Sequence, residues 1–314
     1  MTSTTSPAGP GGRPRLPVQP PGPSSTRWGV ALQLGDRRVL RPGRWRWLRA
    51  VAWFLLLFFL TAGAFGLPLQ AAVDQLPPGN EALAFLGILL ACVAALACYA
   101  VAVRLGEDRW PTEISARTAL PGLAAGALLG LLMMAALMSI LAVTGLYNVT
   151  VVGGAPAWTG LGLALQAAVT EELWMRALLF RLLWRAVGPV PAFAVAALVF
   201  AALHLPNAGV NALSVATVAV AGLMFCALYA LTGRLWLPIG LHLTWNFSQG
   251  YLFGATVSGD SLGSSVAVST ARPGAPAWLT GGEFGPEASL FALLLVSAVT
   301  AAALRSARPP KTPS

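Results

Sequence analysis

Glu171, Glu172 and Arg176 lie near the middle of an apolar run, TGLGLALQAAVTEELWMRALLFRLLWRAV. Charged residues at the centre of a membrane helix cost about 2.5–3.5 kcal/mol each, so three cost roughly 8–10 kcal/mol. About a dozen Leu, Phe and Val residues return only some 4–6 kcal/mol. This segment should insert poorly alone, and its polar face must turn toward partners or water. Glu172 and Arg176 are spaced i, i+4, share a helix face and can pair, so a structural role for the pair competes evenly with a catalytic one. Glu171 points about 100° away with no cation on its own face and needs a partner from another helix.

The only two histidines of the chain also fall in apolar runs. His204 ends FAALH, with Phe200 one turn earlier, and His242 starts HLTWN, with Asn246 one turn later. A single helical histidine is more often a structural residue. Two histidines, an asparagine and two glutamates at similar depth form a constellation with chemistry. A desolvated carboxylate can act as a general base, and His and Asn donors can stabilise an oxyanion. A second chemistry stays open: His204, His242 and Glu171 plus a water could hold Zn²⁺. Against zinc, there is no HExxH spacing and the histidines sit on different helices. Ser214 and Ser248 have no acidic partner nearby in sequence, and no phosphate-binding loop is present.

The elements that position these residues follow from composition. The chain is 56% hydrophobic and only 10% charged, with mean hydropathy +0.71. Soluble domains carry about 25% charged residues, so this is a membrane chain. Eight apolar runs span 48–69, 82–103, 120–144, 159–185, 190–205, 208–231, 235–255 and 287–304. The expected fold is therefore an all-α, polytopic transmembrane bundle of about eight helices over 48–305. Counting 1.5 Å per residue puts Glu171 and His204 about 20 Å from the cytoplasmic face, His242 about 10 Å and Asn246 about 16 Å.

Residues 1–47, rich in Pro, Gly, Ser and Arg, are expected to be a disordered cytoplasmic tail, and 306–314 a second tail. The net charge of +9 does not point to nucleic acid, because the basic residues flank the apolar runs. With both termini inside, the nine arginines through Arg49, then Arg104, Arg109, Arg117, Arg181, Arg185, Arg234, Arg305, Arg308 and Lys311 all fall on the cytoplasmic side. Only Arg272 falls outside, and Arg176 lies within a helix. Trp45, Trp47, Trp184 and Trp236 fall at the expected cytoplasmic interface. Gly122, Gly126 and Gly130 form a small face on the third helix, where another helix can approach closely. Cys92, Cys98 and Cys226 read as small apolar residues. The stretch 256–286 should be irregular. The arginine-to-lysine bias and abundant alanine suggest a GC-rich bacterial genome, hence a bacterial plasma membrane.

The motifs EELWMR (171–176), FAALH (200–204) and HLTWN (242–246), in this order on successive apolar helices, resemble the CPBP family. That family comprises CAAX proteases of the type 2 prenyl-endopeptidase kind and bacteriocin-processing or immunity proteins. The core of the resemblance is residues 160–250, extending to about 120–255. It implies an intramembrane endopeptidase acting on a membrane-anchored peptide or protein, in contact with membrane lipid. Glu171 would be the base that activates water, and His204 would position that water. His242 and Asn246 would stabilise the oxyanion, and Glu172 and Arg176 would hold the site's shape. The resemblance is compatible with a metal-free glutamate mechanism or with zinc. A non-enzymatic immunity factor, scaffold or transporter is the alternative, although the internal symmetry or paired broken helices of a transporter are absent.

Overall fold

Each of the eight apolar runs is helical in the computed structural model, which describes residues 32–75, 79–154 and 156–306. The main elements are α1 (Arg46–Gln75), α2 (Glu81–Glu107), α3 (Ala119–Val143), β1 (Tyr147–Val151), α4 (Trp158–Glu172), α5 (Arg181–Val187), α6 (Pro189–Leu203), α7 (Ala212–Thr232), α8 (Trp236–Phe247), β2 (Ala267–Ala271), α9 (Ala277–Thr280) and α10 (Leu290–Ser306). Four segments are long and apolar enough to cross a membrane: Arg46–Ala72, Glu81–Glu107, Ala116–Val143 and Ala212–Thr232. Large apolar side chains such as Phe59, Leu67, Leu90 and Leu128 are exposed along them, which only a lipid surround makes favourable. The chain is a helical, polytopic integral membrane protein.

Local chemistry sets the helix ends. Asn80 caps α2 by accepting from the Leu83 N–H. Asn211 caps α7, and Ser214 completes the box by accepting from the Asn211 N–H. Gly188, with φ +90°, followed by Pro189 at the first position of α6, makes the sharp break after α5. The fourth run is not one continuous α-helix, since Leu173–Phe180 forms a π-helix between α4 and α5. A second π-helix, Ser248–Leu252, extends α8.

The glycine face of α3 packs on α8. A methyl group added at Gly126 would lie 2.2 Å from the Leu237 carbonyl oxygen, and one at Gly130 would lie 2.4 Å from that of Leu241. Gly240 answers from α8, where an added methyl would lie 2.4 Å from the Leu123 carbonyl oxygen. Thr244 Oγ1 donates across this interface to the Ala127 carbonyl at 2.9 Å. The helix carrying His242 and Asn246 thus approaches α3 closely along the three glycines.

Two expectations need correction. The stretch 256–286 is not irregular throughout. It contains β2, paired antiparallel with β1 in the register Tyr147↔Ala271, Val149↔Ser269 and Val151↔Ala267, and it contains α9. Residues 32–47 are not a free tail either: Leu32 and Leu40 are buried, and Arg49 of α1 donates to the Val39 and Arg41 carbonyls. The remaining tail residues, 1–31 and 307–314, lie outside the described residues.

Arg109 and Arg181, expected only as topological charges, are built into the fold. Arg181 is fully buried and donates twice to Glu107, at 2.9 and 2.7 Å. Glu107 also accepts from Trp53 Nε1 at 2.8 Å and from Arg109 Nε at 2.7 Å. Arg109 holds Glu113 through two bonds of 2.8 Å, and the Tyr99 hydroxyl donates to the same carboxylate. Burial alone would push the Glu113 carboxyl up, but the bonds and charges of Arg109 and the charge of Arg181 outweigh it and hold it below the usual carboxylate range. This cluster joins α1, α2, the α2–α3 connection and α5.

Candidate functional site

Glu172 ends α4 and is fully buried. Its Oε1 is 3.1 Å from Arg176 Nη1 and 2.9 Å from His242 Nδ1 on α8. The i, i+4 pairing read from the sequence is present, and a third group from another helix shares it. Arg176 is also fully buried, with no hydrogen bond to any of its three nitrogens among the described residues. Its guanidinium lies between two aromatic faces instead, 4.5 Å from the Phe200 centroid and 4.7 Å from that of Phe225. The His242 ring stacks on Phe225 at 5.1 Å, so Phe225 packs against both groups that meet Glu172 Oε1.

Glu171, one residue earlier, turns to a different side and is partly exposed. The partner it required comes from α8: Glu171 Oε2 lies 3.9 Å from His242 Nε2. That gap is too long for a direct hydrogen bond and suits a bridging water. Glu171 and His204 line one cavity of about 190 Å³. His204 and Phe200 also line a second cavity of about 60 Å³, together with His242, Asn246, Trp245, Ser258 and Glu287. His204 Nδ1 is 2.8 Å from the Phe200 carbonyl oxygen, which directs the other ring nitrogen away from its own helix.

Four of the six residues expected from the sequence, Glu171, His204, His242 and Asn246, line two cavities that share His204, while Glu172 and Arg176 are fully buried and line neither. The expected depths do not match this arrangement, since His242 meets Glu172 directly although it was placed about 10 Å shallower than Glu171. The reason lies in where α8 starts. The Leu235 N–H donates to the Glu113 carbonyl oxygen at 2.9 Å, so α8 begins at the level of the buried Glu113–Arg181 cluster, well inside the end of α5. Sequence reasoning also missed the π turns, which directly follow Glu172 and Phe247. Such turns occur frequently at functional sites, but nothing in the residue types here announces them. Ser258 was missed as a cavity residue because it lies in the stretch read as irregular, and Glu287 because it stands at the first position of the last apolar run, away from any motif.

Histidine and carboxylate are suitable ligands for zinc. Among the described residues, no three His, Cys, Asp or Glu side chains are placed so as to hold a metal ion. His242 Nδ1 is taken by Glu172 and His204 Nδ1 faces its own helix backbone, which leaves Nε2 as the open nitrogen of each ring.

No curated protein and no solved structure matches the chain. A family model does match, and the matched stretch contains all six residues of the site and none of α1–α3 or α10. Over residues 153–248 the chain is Rce1-like, similar to the type II CAAX prenyl endopeptidases, in agreement with the CPBP resemblance of its three motifs.

Proposed function

We propose that this protein is an intramembrane endopeptidase in which Glu171 activates a water without a metal. The observation that carries the reading is the opposition of Glu171 on α4 and His242 on α8, 3.9 Å apart, each lining one of two cavities that share His204. A water between them can lose its proton to Glu171 while its oxygen adds to the scissile carbonyl carbon. The carbonyl oxygen then takes the negative charge and accepts hydrogen bonds from the Asn246 amide and from His242 Nε2–H in the imidazolium form. On collapse the C–N bond breaks, and the proton held by Glu171 passes to the departing amine. Glu172 holds His242 by Nδ1, leaving Nε2 to face the reaction. Arg176 balances the charge of Glu172. His204 orients the water.

The substrate class is a membrane-anchored peptide or protein, reached from the lipid that surrounds the bundle. The test is cleavage of a library of prenylated and plain membrane-anchored peptides by the purified, detergent-solubilised chain. Wild type and Glu171→Gln are compared, with and without a zinc chelator. Loss of a general base lowers the rate by about 10²–10⁴-fold. Cleavage that survives chelation and falls by that factor in the variant supports the mechanism. Cleavage lost on chelation and restored by Zn²⁺ replaces it with metal-assisted hydrolysis through His204 and His242. A well-folded wild type that cleaves nothing in the library removes the enzymatic reading.

A further inference from the structure

Glu287 lies outside the Rce1-like stretch, yet its carboxylate faces the same cavity as His204, His242 and Asn246. It is nearly fully buried and, among the described residues, forms no ion pair. Three donors satisfy it instead. Ser258 gives its backbone N–H at 2.5 Å and its hydroxyl at 2.8 Å to Oε1, and Trp245 gives Nε1–H at 3.1 Å to Oε2. A buried carboxylate with no cation is retained only where its donors are fixed. Here they come from two parts of the chain that this one side chain bridges.

One donor belongs to α8. Trp245 directly precedes Asn246 and lies three residues after His242, so the position of its indole sets the rotation of the helix that presents both. The other donor is the turn at Ser258, a non-glycine residue at φ +49°, a strained conformation that persists only where its surroundings impose it. The next residue, Gly259, also has positive φ, and a methyl group there would lie 2.5 Å from the Ala208 carbonyl oxygen. Asn207 Nδ2 donates to the Ser258 carbonyl at 2.9 Å. The turn is therefore wedged between the connection that follows His204 and the entry to α10.

We propose that Glu287 is a positioning residue: it clasps the segment 253–289 to α8, closing the cavity over His204, His242 and Asn246 and fixing the rotation of Asn246. Its effect on catalysis rests on the endopeptidase reading above. The clasp itself does not. In Glu287→Gln the amide oxygen can still accept from Ser258, but the amide N–H₂ faces the Trp245 N–H and that bond is lost. Trp245→Phe removes the same bond from the other side, and Ser258→Ala removes one of the remaining two.

The experiment uses the full chain in detergent and has two readouts. The first is the rate of carbethoxylation by diethyl pyrocarbonate, resolved by peptide mass spectrometry at His204 and His242, the only histidines present. The second is kcat and KM on a cleaved peptide. Breaking a hydrogen bond to a charged group corresponds to about 10- to 100-fold in the open population. The expected result is His242 modified about 10- to 100-fold faster in Glu287→Gln and in Trp245→Phe, with the double variant no faster than either single one. Activity should show a similar fall in kcat with KM little changed. Unchanged carbethoxylation in both variants, or additive effects in the double variant, overturns the clasp. Faster carbethoxylation with unchanged kcat overturns the positioning role. If wild type cleaves no peptide, the endopeptidase reading has failed, and carbethoxylation alone decides whether the clasp exists. Should Glu287→Gln fail to fold, Trp245→Phe and Ser258→Ala carry the same comparison, each deleting a single donor.

Discussion

Two adjacent glutamates should respond differently to the same isosteric change, one losing activity alone and the other activity and stability. Glu172 and Arg176 are both fully buried and 3.1 Å apart, and Arg176 has no other anion within reach among the described residues. Glu172→Gln leaves the guanidinium as an uncompensated buried charge, eased only by the faces of Phe200 and Phe225. Removing one partner of a buried pair costs about 3–5 kcal/mol, while each aromatic face returns about 0.5–2 kcal/mol that is already present in the wild type. Against a total stability of about 5–15 kcal/mol, that loss should be plain in a thermal or denaturant titration in detergent. Glu171 is partly exposed to its cavity and 3.9 Å from its nearest partner, so Glu171→Gln should change stability by less than about 1 kcal/mol and abolish cleavage. Activity falls in both variants, and stability falls in only one. The double variant Glu172→Gln/Arg176→Met removes both charges at similar volume. It should recover most of the stability and none of the activity, because a neutral amide at 172 no longer sets a negative charge beside His242 Nδ1. A Glu172→Gln protein as stable as wild type, or a Glu171→Gln protein that unfolds, would refute this assignment of roles.

The α3–α8 contact makes a second prediction. Gly126→Leu drives a side chain into the Leu237 and Leu241 backbone and should cost about 1–3 kcal/mol or more, read as a lower melting temperature, with loss of activity as α8 shifts. A third concerns acid. The folded Glu113 carboxyl is held below its unfolded value of about 4.3, so its contribution is full above that pH and disappears as pH falls through the lower folded value. Glu113→Gln should therefore lower stability at neutral pH and flatten the acid limb of the wild-type profile. A parallel profile displaced downward at every pH would rule that linkage out. A fourth is that Arg181→Met destabilises more than Arg185→Met, since Arg181 alone is buried against Glu107, and unfolding in detergent measures the difference.

The eight runs were legible because lipid-facing helices need long apolar stretches and little else. The pairing of Glu172 with Arg176 was legible because it is local: four residues on one helix share a face whatever the rest of the chain does. Glu171's need for a partner was also readable, though not the partner's identity, since the meeting with His242 depends on where α8 begins. That level is set by the Leu235–Glu113 contact, between residues far apart in sequence. The β1–β2 pair escaped notice because ten residues of Tyr, Asn, Val, Thr, Ala and Ser look like a loop until each strand has the other. Glu107 and Glu113 were overlooked beside arginines that already had a topological explanation. With only eleven acidic residues in the chain, two next to Arg104 and Arg109 were a usable signal.

The two buried ion clusters explain together how the least insertable segment is kept in place. Arg176 and Arg181 sit within or immediately after the π-helix Leu173–Phe180, and both are fully buried. A continuous α-helix would place residues five apart about 140° from each other. The wider turn lessens that angle, and Arg176 reaches Glu172 while Arg181 reaches Glu107. Each arginine is thus neutralised by a carboxylate at a different level, one on its own helix and one on α2. The roughly 8–10 kcal/mol cost of Glu171, Glu172 and Arg176 cannot be offset by this segment's own side chains, and Arg181 adds to it. The offset comes from groups on α1, α2 and α8: Trp53, Glu107 and His242. The segment therefore becomes stable only after α2 is present on one side and α8 arrives on the other. Glu172 and His242, the same pair proposed to orient the oxyanion donor, close that assembly. The contact that joins this segment to α8 is also one that keeps its charges paired where lipid would otherwise exclude them.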